Sequence, residues 1–403
     1  MRLPLLLGVL ALPLFATPEI LSAQTLSAEI GNTGLGATQA RLAALAAPTD
    51  ADRFALGGVR FLAVVEHSLQ QRWKIGLTDS MTMLPFLRLP IAENPNPAAF
   101  DPAVIGQVFR DASAGMDAAR APLAEIPETS DFTVEISLAD LWFDINANTT
   151  RDPGEDMLAV AGPMIMGWQW AERDPATPAP VIRFDAADAA WLSAYTHLLA
   201  GISDTILAYD PTQPITNTLT SRAALADLAE VRPDPFFGTA SNFDAVDMIA
   251  TILATLNQTP DAARALSAHA HFLAMIADNR TFWARVASES DNDHEWLPND
   301  AQQSALGITV PQGTAAVWLA VLSDAEKLLN GQVLAPYWRL GDGAGVNVGR
   351  LFTDPKPIDV AGWIQGADAL PYLEKGPLVS AANWWAFEQL MSGEAMLFTL
   401  FLN

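Results

Sequence analysis

Residues 51–76 read ADRFALGGVRFLAVVEHSLQQRWKIG, and the reading of this stretch decides the fold class. Phe54, Leu62, Val65, Leu69 and Trp73 return to one face at helical intervals, with charged and amide side chains between them. Thr49 and Asp50 stand just ahead, where an oxygen-bearing side chain can cap the free N–H groups of a first turn. An amphipathic helix is expected here, and the same grammar repeats along the chain. Asp101-Pro102 opens a helix through residues 103–126, with proline tolerated at the start. Asp185 caps a run that Asp210-Pro211 stops. Residues 243–257, 261–287, 313–330 and 381–403 read as further helices, whereas alternating strand patterns are scarce and DFTVEISL (131–138) is the best of them. The expectation is an all-α, multi-helix globular domain with Pro- and Gly-rich connecting loops.

Half of the 403 residues are hydrophobic, enough for a sizeable core. The first residues, MRLPLLLGVLALPLFATPEILSAQ, carry Arg2, then an apolar run from Leu3 to Ala16, then small residues at Ser22-Ala23. That is the pattern of a secretory leader over residues 1–23, cleaved before Gln24; a retained anchor helix is the alternative. No later segment is long and apolar enough to span a bilayer, and the nearest, residues 157–170, is too short. The chain has no cysteine. It therefore has no disulfides, no thiolate chemistry and no Cys-ligated metal, which fits a bacterial periplasmic or secreted protein. A net charge of −24 argues against nucleic acid and anionic lipid as partners.

Residues 144–155, DINANTTRDPGE, place oxygen donors at regular offsets. Asp144, Asn146 and Asn148 stand at the first, third and fifth positions, Thr150 offers a carbonyl at the seventh, Asp152 is ninth and Glu155 twelfth. The segment resembles an EF-hand loop, and the resemblance implies a calcium ion held by these six residues. The preceding SLADLWF reads as a helical turn capped by Ser137, and the following EDMLAVAGPMIM as an exiting helix. Two positions depart from the pattern. Thr149 stands sixth, where glycine suits a positive φ, and Arg151 stands eighth, where paired loops carry an apolar residue. A lone loop of this kind should bind at about 10⁻⁴ to 10⁻³ M, the range of extracellular structural sites. The competing reading is a polar turn whose side chains satisfy its own backbone.

Three other constellations stand out. Glu289, Asp291, Asp293, His294, Glu295 and Asp300 crowd one segment after a long helix, as a metal or carboxylate-pair site or, more simply, a solvated acidic helix end. His269 and His271 stand two apart on a helix, pointing about 200° from one another, so they cannot share a metal; His67 and His197 are expected packed or half-buried. Residues 331–377 are rich in Gly, Pro and aromatics with faint periodicity. There Tyr337, Trp338, Arg339, Arg350, Asp354 and Trp363 could hold a sugar ring or an anionic ligand, or the aromatics could plug the core.

Regions 24–260 and 261–403 are expected as an N-terminal and a C-terminal helical part. The functional expectation is an exported helical protein, stabilised by one calcium and acting by binding a small molecule, a glycan or a protein. The alternatives are an extracytoplasmic hydrolase or lyase acting in the 331–377 loop or the 289–300 cluster, and a helical interaction scaffold.

Overall fold

The computed structural model describes residues 23–403 except 79–80, 82–83, 167, 175, 229–239, 308–309, 393–398 and 400–403; the leader expected over residues 1–23 lies outside it as far as residue 22. Among the described residues the chain is mostly helical, with thirteen α-helices and five short strands, as the periodicity predicts. No described helix is long and apolar enough to cross a membrane.

The first helices are α1 (Ala23–Ala43), α2 (Asp50–Lys74) and α3 (Ala103–Leu123). Thr49 and Asp52 cap α2 reciprocally, each side chain accepting from the other's backbone N–H. Phe54 and Leu69 of its apolar stripe are buried, and Leu62, Val65 and Trp73 pack at the core's edge. Strand β1 (Val134–Ser137) lies in the stretch that reads as alternating, and β2 (Val181–Phe184) pairs with it antiparallel, Val134 opposite Phe184. Between the two strands lie the EF-hand-like loop, α4 (Met157–Ile165) and α5 (Trp168–Glu172).

Helix α6 (Ala186–Ala208) is the axis of the molecule. Its residues are buried on every face, from Ala187 to Ala208, so its pattern is apolar all round rather than striped. Asp185 caps it and Asp188 completes the capping box. Its small residues let α3 and α9 (Ala262–Val286) pack closely on it. A Cβ on Gly201 would stand 2.8 Å from the Phe272 ring of α9. In the neighbouring contact a Cβ on Gly115 would stand 2.3 Å from Val64. Packing then runs α1 on α2, α2 on α3, α3 on α6, α6 on α9, and α9 on α10 (Thr314–Leu329). One hydrophobic core extends from Leu26 to Phe387, so regions 24–260 and 261–403 share it.

Two parts depart from the sequence expectation. Residues 209–217 read as a Pro- and Asp-rich loop, yet α7 (Thr212–Leu228) begins inside them. Pro214 falls in its first turn, where a missing N–H has no intrahelical partner to lose. It is followed by α8 (Ala240–Leu256). The irregular stretch 331–377 holds an antiparallel sheet of β3 (Ala335–Pro336), β4 (Ala344–Val346) and β5 (Leu373–Lys375), with α11 (Val348–Thr353) and α12 (Val360–Gln365) between β4 and β5. Elements this short show no period. The last described helix, α13 (Ala382–Leu390), covers the first part of the expected 381–403 helix; most of the remainder lies outside the described residues.

Candidate functional site

The best-formed cavity lies where α1, α2, the β1–β2 hairpin, α4 and α6 meet. It measures about 210 Å³, and its wall is almost wholly apolar. Helix α2 contributes Phe54, Gly58 and Leu62 at one-turn spacing, the hairpin Ile136 and Phe184, and α6 Trp191, Tyr195 and Leu199. Trp191 stacks on Tyr195 with ring centres 5.4 Å apart and meets the edge of Trp296 at 5.2 Å, giving one wall a continuous aromatic face. Pro85, Phe86, Arg88 and Leu89, from the segment 84–89, close another side. Phe86 holds φ +66 there, a conformation a bulky side chain rarely adopts. Arg72, fully buried at the end of α2, pins this segment by donating to the Leu89 carbonyl at 2.7 Å. Burial draws its guanidinium down to about 10.

Two polar features interrupt the wall. Arg88 is the one charged lining residue among those described, and its guanidinium donates to the Tyr195 hydroxyl at 2.7 Å. Trp296 lines the aromatic wall beside Trp191, and its indole N–H is buried with no hydrogen-bond partner. None of these residues belongs to the sites expected from sequence. Arg88 did leave a signal: it is the lone charge in the run LPFLRLPI, between two prolines.

The EF-hand-like loop adjoins this cavity, for Leu141, Phe143 and Met157 line it. Its incoming arm keeps a single turn of the expected kind at residues 138–140, where the Ser137 side chain accepts from the Ala139 N–H and its carbonyl from the Asp140 N–H, but the rest of the arm is extended rather than helical. Ser137 ends β1, and Trp142 pairs with Asp156 in an antiparallel bridge that clamps the two arms together. The reason is tertiary: Ser137 is drawn into pairing with the distant Val181, and a lone turn of helix, costly to nucleate, does not propagate from it. The exiting helix is α4, as expected. Inside the loop the side-chain oxygens face inward-turned N–H groups. Asp144 accepts from Asn148 and Thr149 at 2.9 Å, Asn146 from Asn148 at 3.0 Å, and Asn148 from Thr150 at 2.7 Å. Glu155, 5 % exposed, ties the ends by accepting from Ile145 and Asp152 at 2.8 Å. Thr149 holds φ +63, the left-handed conformation that the sixth position requires.

Helix α2 adds a carboxylate to this loop that the twelve-residue pattern does not contain. Glu66 accepts from the Asp144 N–H at 2.8 Å, while Gln70 donates to the Asp144 carbonyl at 2.8 Å. Burial, then the nearby Asp144 and Glu155 charges, push Glu66 up to about 7 against the opposing pull of that N–H. Arg151, the loop's own cation, turns outward to Asp156 and the Ala139 carbonyl. As fit for a hard cation the loop is mixed. Each oxygen that accepts one N–H keeps a second lone pair. Against this, no three His, Cys, Asp or Glu side chains among the described residues gather as a metal site, and both Asn amides donate to Asp152 at 2.7 Å. Asn oxygens and the Thr150 carbonyl would have to complete the set.

The six aromatic-region residues are spread over different tasks. Tyr337 is buried in a small second core with Tyr372, and Trp363 packs against it. The Tyr337 hydroxyl donates to the Trp363 carbonyl at 2.5 Å, and Trp363 stacks on Tyr372. Trp338 is 70 % exposed, with the Arg339 guanidinium 5.1 Å over its ring. Arg350 bridges Asp354 and Glu374. None of the six lines the cavity.

In the acidic segment, Asp291 and Asp293 are exposed and pair with Arg183, but Glu295 is buried, accepting from Asp293 N–H at 2.9 Å. Burial raises Glu289 to about 7 and raises Glu295 and Asp188 beside it. This end of α9 is thus a partly buried carboxylate group, not the wholly solvated end that the sequence suggests. His269 and His271 do point apart: one meets the Leu329 carbonyl, the other meets His197 across α6 at 2.8 Å. His197 is half-buried as expected, whereas the His67 side chain is 50 % exposed.

Comparison with known proteins finds no family model, no curated protein and no solved structure that matches the chain. Function has to rest on the chemistry of the site.

Proposed function

We propose that this is an exported helical binding protein, stiffened by one calcium ion in the 144–155 loop, whose ligand is an apolar small molecule lodged in the cavity between α2, α6 and the hairpin. The carrying observation is the cavity itself. It opens to the surface and offers about 210 Å³ behind a wall that is almost wholly apolar, the form that small-molecule sites take. Export is supported by the leader pattern and the absence of cysteine. Calcium is supported by the spacing of oxygen donors along the loop, the positive φ at Thr149 and the Glu66 carboxylate that α2 adds beside Asp144.

The test is binding of a neutral fluorescent apolar probe, N-phenylnaphthylamine, to the mature chain and to Gly58→Leu. No atom stands within 4 Å of a Cβ built on Gly58, which lines the cavity from the middle of α2. Leucine there should fill the space, raise the melting temperature and abolish probe binding. Equal binding by both proteins would place the probe elsewhere and sink the reading.

A second reading, a helical surface that docks another protein, is favoured by α8. Val246, Met248, Ile249, Ile252 and Leu253 are exposed, while Thr251 and Asp247 face α7 through Thr218 and Arg222. Exposed apolar patches of this kind mark interaction sites. Ile249→Asp should lower any concentration-dependent association seen in sedimentation; a wild-type chain that stays monomeric at high concentration removes self-association from this reading.

A further inference from the structure

We infer that the partner of helix α8 is a second copy of this chain, the two α8 helices packing face to face about a two-fold axis; this rests on the reading of α8 as a docking surface. Helix α8 is fixed from one side and at its end. Thr251 meets Thr218 of α7 at 2.7 Å, Asp247 pairs with Arg222 at 2.6 Å, and the Leu256 carbonyl accepts from the Ile358 N–H at 2.7 Å. Ile249 stands two residues from both Thr251 and Asp247, about 200° round the helix, and so lies on the face turned away from α7. On and around that face Val246, Met248, Ile249, Ile252 and Leu253 are 42–55 % exposed.

Spacing, charge and area select the occupant. Val246, Ile249 and Leu253 recur at steps of three and four, the spacing of a seam between two helices. Ala245, Ala250 and Ala254 among them are small enough for another helix to approach. The face therefore fits a helix that is itself apolar and uncharged, and this chain supplies one. From Ala245 to Ala254 the sole charged residue is Asp247, and it is paired with Arg222. Copies that each carry −24 repel over most of their surface, so they meet where neither brings an unpaired charge. A two-fold contact sets one patch against itself, which an apolar seam satisfies without any complementary charge. The exposed apolar side chains from Ala245 to Ala254 present on the order of 500 Å² per copy, so a pair buries about 1,000 Å², the size at which specific interfaces begin. A bilayer surface is the other apolar partner, but helices that lie in it are rich in Lys and Arg on the polar face and in aromatic anchors such as Trp on the other. Helix α8 holds no Lys, Arg, Trp or Tyr.

The test is sedimentation velocity of the mature chain over a range of concentrations, beside Ile249→Glu and Ile249→Lys. The wild type should be dimeric at the upper end of the range. Ile249 is at the middle of the exposed stretch, so across the axis it stands beside its own counterpart. Each variant should therefore bring like charges together and weaken the dimer by about tenfold or more. Unchanged thermal melting by circular dichroism shows that both variants are folded, as expected for an exposed position. An equimolar mixture of the two should restore the dimer, because opposite charges then meet, a rescue that neither a foreign partner nor loss of folding imitates. A dimer that survives both substitutions lies on another surface and overturns the inference, as does a mixture that stays monomeric. A monomeric wild type also overturns the second copy as partner. If that monomer binds phosphatidylcholine vesicles and Ile249→Glu does not, α8 remains a docking surface, with a membrane as its occupant; if neither binds them, the docking reading of α8 loses its support as well.

Discussion

At the scale of single residues, Glu155 and Thr149 carry the calcium reading. Glu155 is the buried side chain that ties both ends of the loop, and two of its lone pairs are already spent on N–H groups. Adding millimolar calcium to chelator-treated protein should raise its melting temperature, with about 1 kcal/mol of stabilisation if affinity is millimolar. Glu155→Gln and Asp144→Ala should remove that response, and an equal shift in Glu155→Gln would reduce the loop to a polar turn. Thr149→Gly should stabilise the chain by roughly 1 kcal/mol, because threonine pays a steric penalty at φ +63 that glycine does not. The histidine pair makes a second prediction. Burial, then the charges of Arg120 and His271, hold His197 down at about 3, and burial lowers His271 as well. Asp117, Asp204 and Asp278 face the pair, none closer than 3.9 Å. An unfolded histidine takes its proton near pH 6.5, so below that pH the unfolded chain binds more protons than the folded one. Stability is full above about pH 6.5 and falls toward pH 3, by up to about 1.4 kcal/mol per pH unit for each proton. Urea midpoints measured in chelator from pH 7 to 4 should show this contribution as the difference between wild type and His197→Gln, because Glu66 and Glu289, both raised to about 7, oppose it over the same window in both proteins. Glu289, raised to about 7, works with the opposite sign and loses stability as pH rises from about 4.5 to 7.

At the scale of elements, the central contact is α6 against α9. Close approach depends on Gly201, with the Phe272 ring where a side chain would stand. Gly201→Val should therefore destabilise the chain by about 1–3 kcal/mol, although the same change on an isolated helix would be favourable. Gly58→Leu should act the other way, since its Cβ meets open space and a helix gains roughly 0.5–1 kcal/mol on losing a glycine. Both are glycines in long helices, and no local pattern separates them. Chemical denaturation of the pair reads the difference directly; equal and opposite failure, with Gly201→Val neutral, would mean that α9 shifts to accommodate it. The helices themselves were legible because α2, α3, α9 and α10 repeat apolar residues over many turns. Helix α7 was hidden by prolines that its first turn tolerates, and β3, β4 and β5 by having two or three residues each.

At the scale of the whole molecule, 46 acidic residues face 22 lysines and arginines, which leaves the net charge of −24, and many described arginines are committed to ion pairs or to carbonyls. Arg88 is placed differently, at the edge of an apolar wall where it donates to Tyr195. Export makes the remaining prediction: protein recovered from periplasm or medium should begin near Gln24 by mass spectrometry. An intact Met1 on membrane-extracted protein would contradict the cleaved leader.

Periodicity, composition and loop spacing determined, without any coordinates, that this chain is helical and cysteine-free, and which twelve residues resemble a calcium loop. These are local properties: a helix stripe, a cap and a ligand spacing are all written within a few turns of chain. The cavity, its Arg88–Tyr195 pair, the unmet Trp296 N–H and the Glu66 carboxylate beside the loop were decided by tertiary structure alone. Arg88 and Tyr195 are 107 positions apart, and Glu66 and Asp144 are 78 apart. Such partners meet only because the segments carrying Arg88 and Asp144 pack onto α6 and α2 in one core, and packing between distant segments leaves no period in the sequence.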